Sequence, residues 1–223
     1  MRAIGAAALF AMTLGTFAAA TTARAEDTVR GKSAGDFMIR ARGVAVVPNE
    51  SGTVKTSSGA ETGLRVKIDE SYVPELDFSY FITDNIALEL IAATTSHSIS
   101  AQPANLKLGN AWLLPPTLTV QYHPLPKAKF SPYIGAGVNY TFFYNETASH
   151  ANGIRSVRLT DAPGAAIQAG IDIELTEHLS LNLDVKQIFL NTNAKVSLMS
   201  GGYLKSSVDI NPLLIGFGIG YRF

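Results

Sequence analysis

Polar and apolar side chains alternate with a period of two through a series of stretches about ten residues long, each bounded by turn-forming residues. Beyond residue 25 no uninterrupted apolar run reaches the roughly 18 residues that a membrane-spanning helix needs. Eight alternating segments can be drawn, at 36–47, 72–82, 86–97, 115–124, 132–144, 163–175, 179–189 and 208–223. Each is long enough for a tilted strand that crosses a bilayer, about 9–11 residues. Their connections alternate in length. Thr83-Asp84-Asn85 and Thr176-Glu177-His178 are tight turns, and 124–131 is moderately short. The connections 48–71, 98–114, 145–162 and 190–207 are long and rich in Ser, Thr, Asn, Gly and Ala. Only helices and closed barrels satisfy every backbone group in lipid. The expected fold is therefore all-β: an eight-stranded antiparallel transmembrane barrel with short periplasmic turns and long extracellular loops.

Each segment separates into two faces. In 72–82, Tyr72, Leu76, Phe78, Tyr80 and Ile82 oppose Val73, Glu75, Asp77 and Ser79. In 179–189, Leu179, Leu181, Leu183 and Val185 oppose Ser180, Asn182, Asp184 and Lys186. The apolar set is free of central charges, as a lipid face must be. Tyr80, Tyr122, Tyr221 and Phe223 fall at one level, and Tyr72, Phe142 and Tyr144 at the other, the pattern of two interfacial aromatic girdles. A soluble ligand-binding barrel would reverse the faces. The aromatic levels, the loop asymmetry and the ending Tyr221-Arg222-Phe223 favour lipid outside, and the terminal Phe223 resembles the signal read by barrel-assembly machinery.

Composition agrees. Charged residues make up 16% of the chain, against about 25% in soluble domains, so much of the surface faces something other than water. Acidic and basic residues balance at 18 each, which leaves no electrostatic case for nucleic acid. Without Cys there are no disulfides and no thiolate metal sites. Met1-Arg2, the apolar run Ala3 to Ala20 and the A-x-A site Ala23-Arg24-Ala25 form an export signal over 1–25, leaving 26–223 as the barrel.

The run Trp112-Leu113-Leu114-Pro115-Pro116-Thr117-Leu118-Thr119-Val120-Gln121-Tyr122-His123 resembles the OmpW family. So do Gly35 to Arg42, Pro74 to Asp77, Phe81 to Ala87, Pro132 to Tyr140 and Gly220 to Phe223. The resemblance implies an eight-stranded outer-membrane barrel of a Gram-negative bacterium with a narrow, largely apolar interior. It also implies passage of small, often hydrophobic molecules and weak ion conductance. Some members serve as surface receptors, but the loops are where this chain is least family-like.

The inward face reads as two zones. Near the periplasm it holds Arg40, Asp77, Glu89, His123, Asp172, Glu174, Asn182, Asp184 and Arg222, charges that should pair because isolated buried charges are costly. They make either a polar plug filling a small barrel or a charged constriction. Further out it carries Val44, Val46, Val73, Ile91, Phe143 and Leu214, either core packing under the loops or a site for an apolar ligand. The expected partners are outer-membrane lipid and a small hydrophobic solute. Catalysis is not expected. Of the four histidines only His123 faces the lumen: His97 sits at a strand end, His150 in a loop and His178 in a turn. No metal-ligand spacing and no cofactor motif appears. A closed structural or adhesive barrel is the competing reading.

Overall fold

The structure, a computed structural model, describes residues 30–223; the expected export signal over 1–25 lies outside them. Fourteen strands are present: β1 Phe37–Val47, β2 Thr53–Thr56, β3 Glu61–Ile68, β4 Ser71–Phe81, β5 Ile86–Ala93, β6 Thr95–Gln102, β7 Leu106–Leu114, β8 Thr117–Tyr122, β9 Phe130–Ala148, β10 Ile154–Leu159, β11 Ala162–Glu174, β12 Leu179–Leu198, β13 Tyr203–Asp209 and β14 Leu213–Arg222.

Every ladder is antiparallel. In the lower part β1 pairs with β4, β4 with β5, β5 with β8, β8 with β9, β9 with β11, β11 with β12, β12 with β14, and β14 returns to β1. The cycle leaves no free edge, the condition under which a sheet can sit in lipid. Its outer face is apolar. Leu76, Leu90, Leu118, Val120, Ile134, Val138, Ile167, Leu183 and Phe217 are all exposed. Turns at 82–85 and 175–178 close hairpins at one end, where Thr83 and Thr176 hydroxyls accept backbone amides.

Among the described residues fourteen strand segments stand where eight were expected. The stretches expected as loops, 48–71, 98–114, 145–162 and 190–207, are largely strand. They continue the wall upward as the path β10-β12-β13-β2-β3-β6-β7-β9, with β9 and β12 running through both levels. The reason is chemical. Val54, Val66, Ile68, Ile99, Ala101, Leu108, Val157, Val196 and Val208 are buried at alternate positions, so the period of two persists. Their neighbours along the strands are mostly Ser, Thr, Lys, Arg and Asp, the composition of a wall that faces water. A half-buried strand in water looks loop-like when lipid-facing strands set the standard.

Candidate functional site

The lower lumen is filled by ion pairs. Arg40 donates through Nε and Nη2 to both oxygens of Asp172, at 3.1 and 2.8 Å, and through Nη1 to Ser79 at 2.7 Å. Arg42, two residues on and therefore on the same face, reaches Asp77 at 2.6 Å, Glu75 at 3.2 Å and Glu89 at 3.2 Å. Glu89 also accepts from Gln168 at 2.8 Å and Thr119 at 3.3 Å. The Tyr133 hydroxyl donates to Asp184 at 2.8 Å, and Asn182 bridges Asp172 at 2.8 Å and Tyr133 at 3.0 Å. These groups come from strands on all sides of the lumen, so the network ties the wall together across its axis. Glycine makes part of this possible: a Cβ on Gly170 would run into the Tyr133 ring and the Leu183 carbonyl.

Below this centre the segment before β1 folds into the mouth. Lys32 is fully buried and reaches Asp172 at 2.8 Å, Ser131 at 2.7 Å and His123 Nδ1 at 3.2 Å. His123 lies between the Phe81 and Tyr133 rings, each 5.1 Å away. The segment is pinned from outside by Lys127, whose ammonium donates to the Lys32 carbonyl at 2.7 Å, and by Asp84, which accepts the Ala34 amide at 2.9 Å. That amide, together with Lys127, holds the Asp84 carboxyl below its usual range. Arg222 closes the rim near Glu174 and Asp36, both at 3.6 Å.

Above the network the lumen opens into a cavity. Glu75, Lys186, Thr117 and Thr141 form its base; Val44, Val46, Val73, Ile91, Phe143 and Leu214 line its lower wall; Val66, Ile99, Leu108, Val157, Val196 and Val208 line the upper wall. Such a lining offers dispersion and apolar burial but few hydrogen bonds, the chemistry of a site for hydrocarbon chains or rings.

All nine polar residues expected at the floor are buried together, and all six expected apolar residues line the cavity above. The expectation for His97 is corrected. It sits within β6, is buried, lines the cavity, and hydrogen-bonds the Asp69 carbonyl at 2.7 Å and the Thr95 hydroxyl at 3.0 Å. Burial lowers its pKa from the ordinary 6.5. Sequence reading also missed Arg42, Glu75, Lys186, Tyr133 and Lys32 as floor residues. The first three are one strand period from Arg40, Asp77 and Asp184, and extending the alternation by one step finds them. Lys32 precedes the first strand and carries no periodic signal.

Comparison with known proteins agrees with this architecture. The family model described as OmpW family matches residues 33–223. The outer-membrane protein y4mB of Sinorhizobium fredii is 44% identical over 188 residues, covering 84% of this chain and 80% of the relative. Outer membrane protein W of Vibrio cholerae is 35% identical over 200 residues, covering 85% and 89%. Among solved structures, OprG from Pseudomonas aeruginosa superposes with a TM-score of 0.83 at 33% identity, covering 87% of this chain and 99% of that one. AlkL, solved in lipid bilayers, shares the fold with a TM-score of 0.68 at 22% identity, covering 91% and 97%. The lipid-compatible cycle of strands, the matched span and these relatives together place the chain in the OmpW family, as a β-barrel protein of the Gram-negative outer membrane.

Proposed function

We propose that this protein is a passive carrier for small hydrophobic molecules: they enter the apolar cavity from outside and leave sideways into the membrane. The membrane-crossing unit in this reading is the cycle of eight strands β1, β4, β5, β8, β9, β11, β12 and β14. The observation that carries the proposal is the stacking of an apolar-lined cavity directly on a floor of paired charges. An apolar solute gains from the cavity and loses on meeting the floor, where it would displace charge-assisted hydrogen bonds. What supports a sideways exit is a seam in the wall beside the cavity. The β7–β9 ladder stops at Leu114 and the β8–β9 ladder starts at Thr117, with Pro115 and Pro116 between, neither able to donate an amide hydrogen bond. Ion conductance is a minor property here, limited by the same floor. No reaction is assigned: His123 is enclosed by aromatic rings and the ion-pair network, which leaves no approach for a substrate. Assembly through Phe223 and contact with outer-membrane lipid complete the reading.

Planar-bilayer conductance of the purified, refolded protein, recorded while a long-chain amphiphile is titrated, tests it. Small current steps that the amphiphile blocks are the expected result. Silence in both conditions would instead favour a closed structural or adhesive barrel.

A further inference from the structure

The outward face of β12 changes character within a few residues. Leu183, Val185 and Phe189 are exposed and apolar; Asn191, Asn193 and Lys195 are exposed and polar. The hydrocarbon boundary therefore lies near 189–191. At about 3.3 Å per residue and a tilt near 40°, Lys195 stands roughly 10–15 Å beyond it. At that height the ladders place four cations in one row. Arg158 is opposite Lys195, Lys195 opposite Lys205, and Lys205 opposite Lys55. All four are exposed. Like charges directly opposite on neighbouring strands repel. Relief within the described residues is slight: Lys55 has Glu61 at 3.6 Å, and Lys195 lies over the Tyr203 ring at 4.4 Å. Arg158, Lys195 and Lys205 make no ion pair with a carboxylate among those residues. The row borders a depression that also holds Asn193, whose side-chain amide offers a hydrogen-bond donor on the membrane side of the cations.

We propose that this face of the extracellular wall binds the phosphate groups of outer-leaflet glycolipid. Four cations spaced about 4.8 Å apart across neighbouring strands span about 14 Å. That spacing suits several phosphates on one headgroup rather than a single small anion. The row stands at headgroup height, and the outer leaflet supplies phosphate-bearing lipopolysaccharide there. Charge-assisted hydrogen bonds from Lys and Arg to phosphate supply the contact. The four cations are exposed on the outward side of the wall, and the proposal does not depend on what crosses the lumen.

The test uses the refolded protein in detergent micelles and measures affinity for purified lipopolysaccharide, for the same material dephosphorylated, and for inorganic phosphate. Each charge near an anionic lipid surface contributes on the order of fivefold. The Lys195→Gln/Lys205→Gln pair is therefore expected to weaken lipopolysaccharide binding by about tenfold or more. Lys195→Arg/Lys205→Arg should bind as the parent does, which also controls for folding. Lys129→Gln, an exposed cation at the opposite end, should leave binding intact, and dephosphorylation should abolish the difference between parent and Gln pair. Equal affinity of parent and Gln pair would overturn the proposal, as would an equal loss in Lys129→Gln. Inorganic phosphate competing at the same low concentration would mark a free-anion site and overturn the assignment to lipid.

Discussion

Lys32 Nζ lies 2.8 Å from Asp172 Oδ2, with both side chains fully buried, so a cation that precedes the first strand becomes a second partner of a carboxylate at the centre of the barrel. Asp172 already receives both arms of Arg40. Lys32 is therefore a stopper rather than the sole partner of that carboxylate. Lys32→Ala opens space at the mouth and leaves Ser131 and His123 without their shared donor. Single-channel conductance should rise severalfold while the barrel remains assembled. An unchanged conductance would show that the segment before β1 does not limit the path.

Glu89 carries more of the network. It takes charge from Arg40 and Arg42 and hydrogen bonds from Gln168 and Thr119. Removing one partner of a buried pair leaves the other charge uncompensated, at a cost of about 3–5 kcal/mol. Glu89→Ala should lower unfolding stability in urea by about that amount and raise ion conductance. Arg222→Ala should also raise conductance but cost less stability, because its contacts to Glu174 and Asp36 are both 3.6 Å and lie at the rim.

Ile91 sits at the lower wall of the cavity, 3% exposed. Ile91→Asp places a charge where an apolar solute would rest, and desolvating that charge opposes binding. Affinity for a long-chain amphiphile should fall by more than tenfold, measured by fluorescence displacement. Ile91→Leu conserves volume and should leave affinity within about twofold. Equal affinity in the Asp variant would remove the cavity from the proposed transport route.

Both zones of the lumen are legible in the sequence because side-chain direction in a strand follows the period of two without reference to anything else. Once Arg40 and Val44 are inward, Arg42 must be inward with them. The water-facing upper strands are harder to read. In β6, Thr95, His97, Ile99 and Ala101 point inward, but two of those four are polar, so the apolar signal that marks a lipid-facing strand is absent. Pairing partners are less legible still. That Lys55, Lys205, Lys195 and Arg158 share one row depends on ladder registers joining residues up to 150 positions apart, which no local pattern encodes.

Gly170 gives a steric prediction. A Cβ there would meet the Tyr133 ring, which could turn away, and the Leu183 carbonyl, which is fixed in the ladder. Gly170→Ala should destabilise the barrel by about 1–3 kcal/mol, the range for overpacking. Displacing Tyr133 would also break its hydrogen bond to Asp184. Tyr133→Phe alone loses the hydroxyl without the clash, so unfolding midpoints of the two variants separate the steric effect from the polar one.

His97 makes the upper cavity sensitive to acid. It lies in the upper wall, where burial lowers its pKa below the ordinary 6.5 while the Asp69 carbonyl partly opposes that shift. The unfolded or opened wall takes up a proton near pH 6.5, whereas the closed wall does so only at lower pH. Stability is thus complete above about 6.5 and declines as the pH falls from there towards the folded-state pKa. Backbone amides of β6 and of β3, which pairs with it, should exchange hydrogen faster at pH 5 than at pH 7.5, after correction for intrinsic rates. His97→Gln keeps a polar group of similar reach but no titration, and should flatten that dependence. A parent protein whose β6 protection is independent of pH over this range would show that the buried imidazole is not the group that loosens the wall.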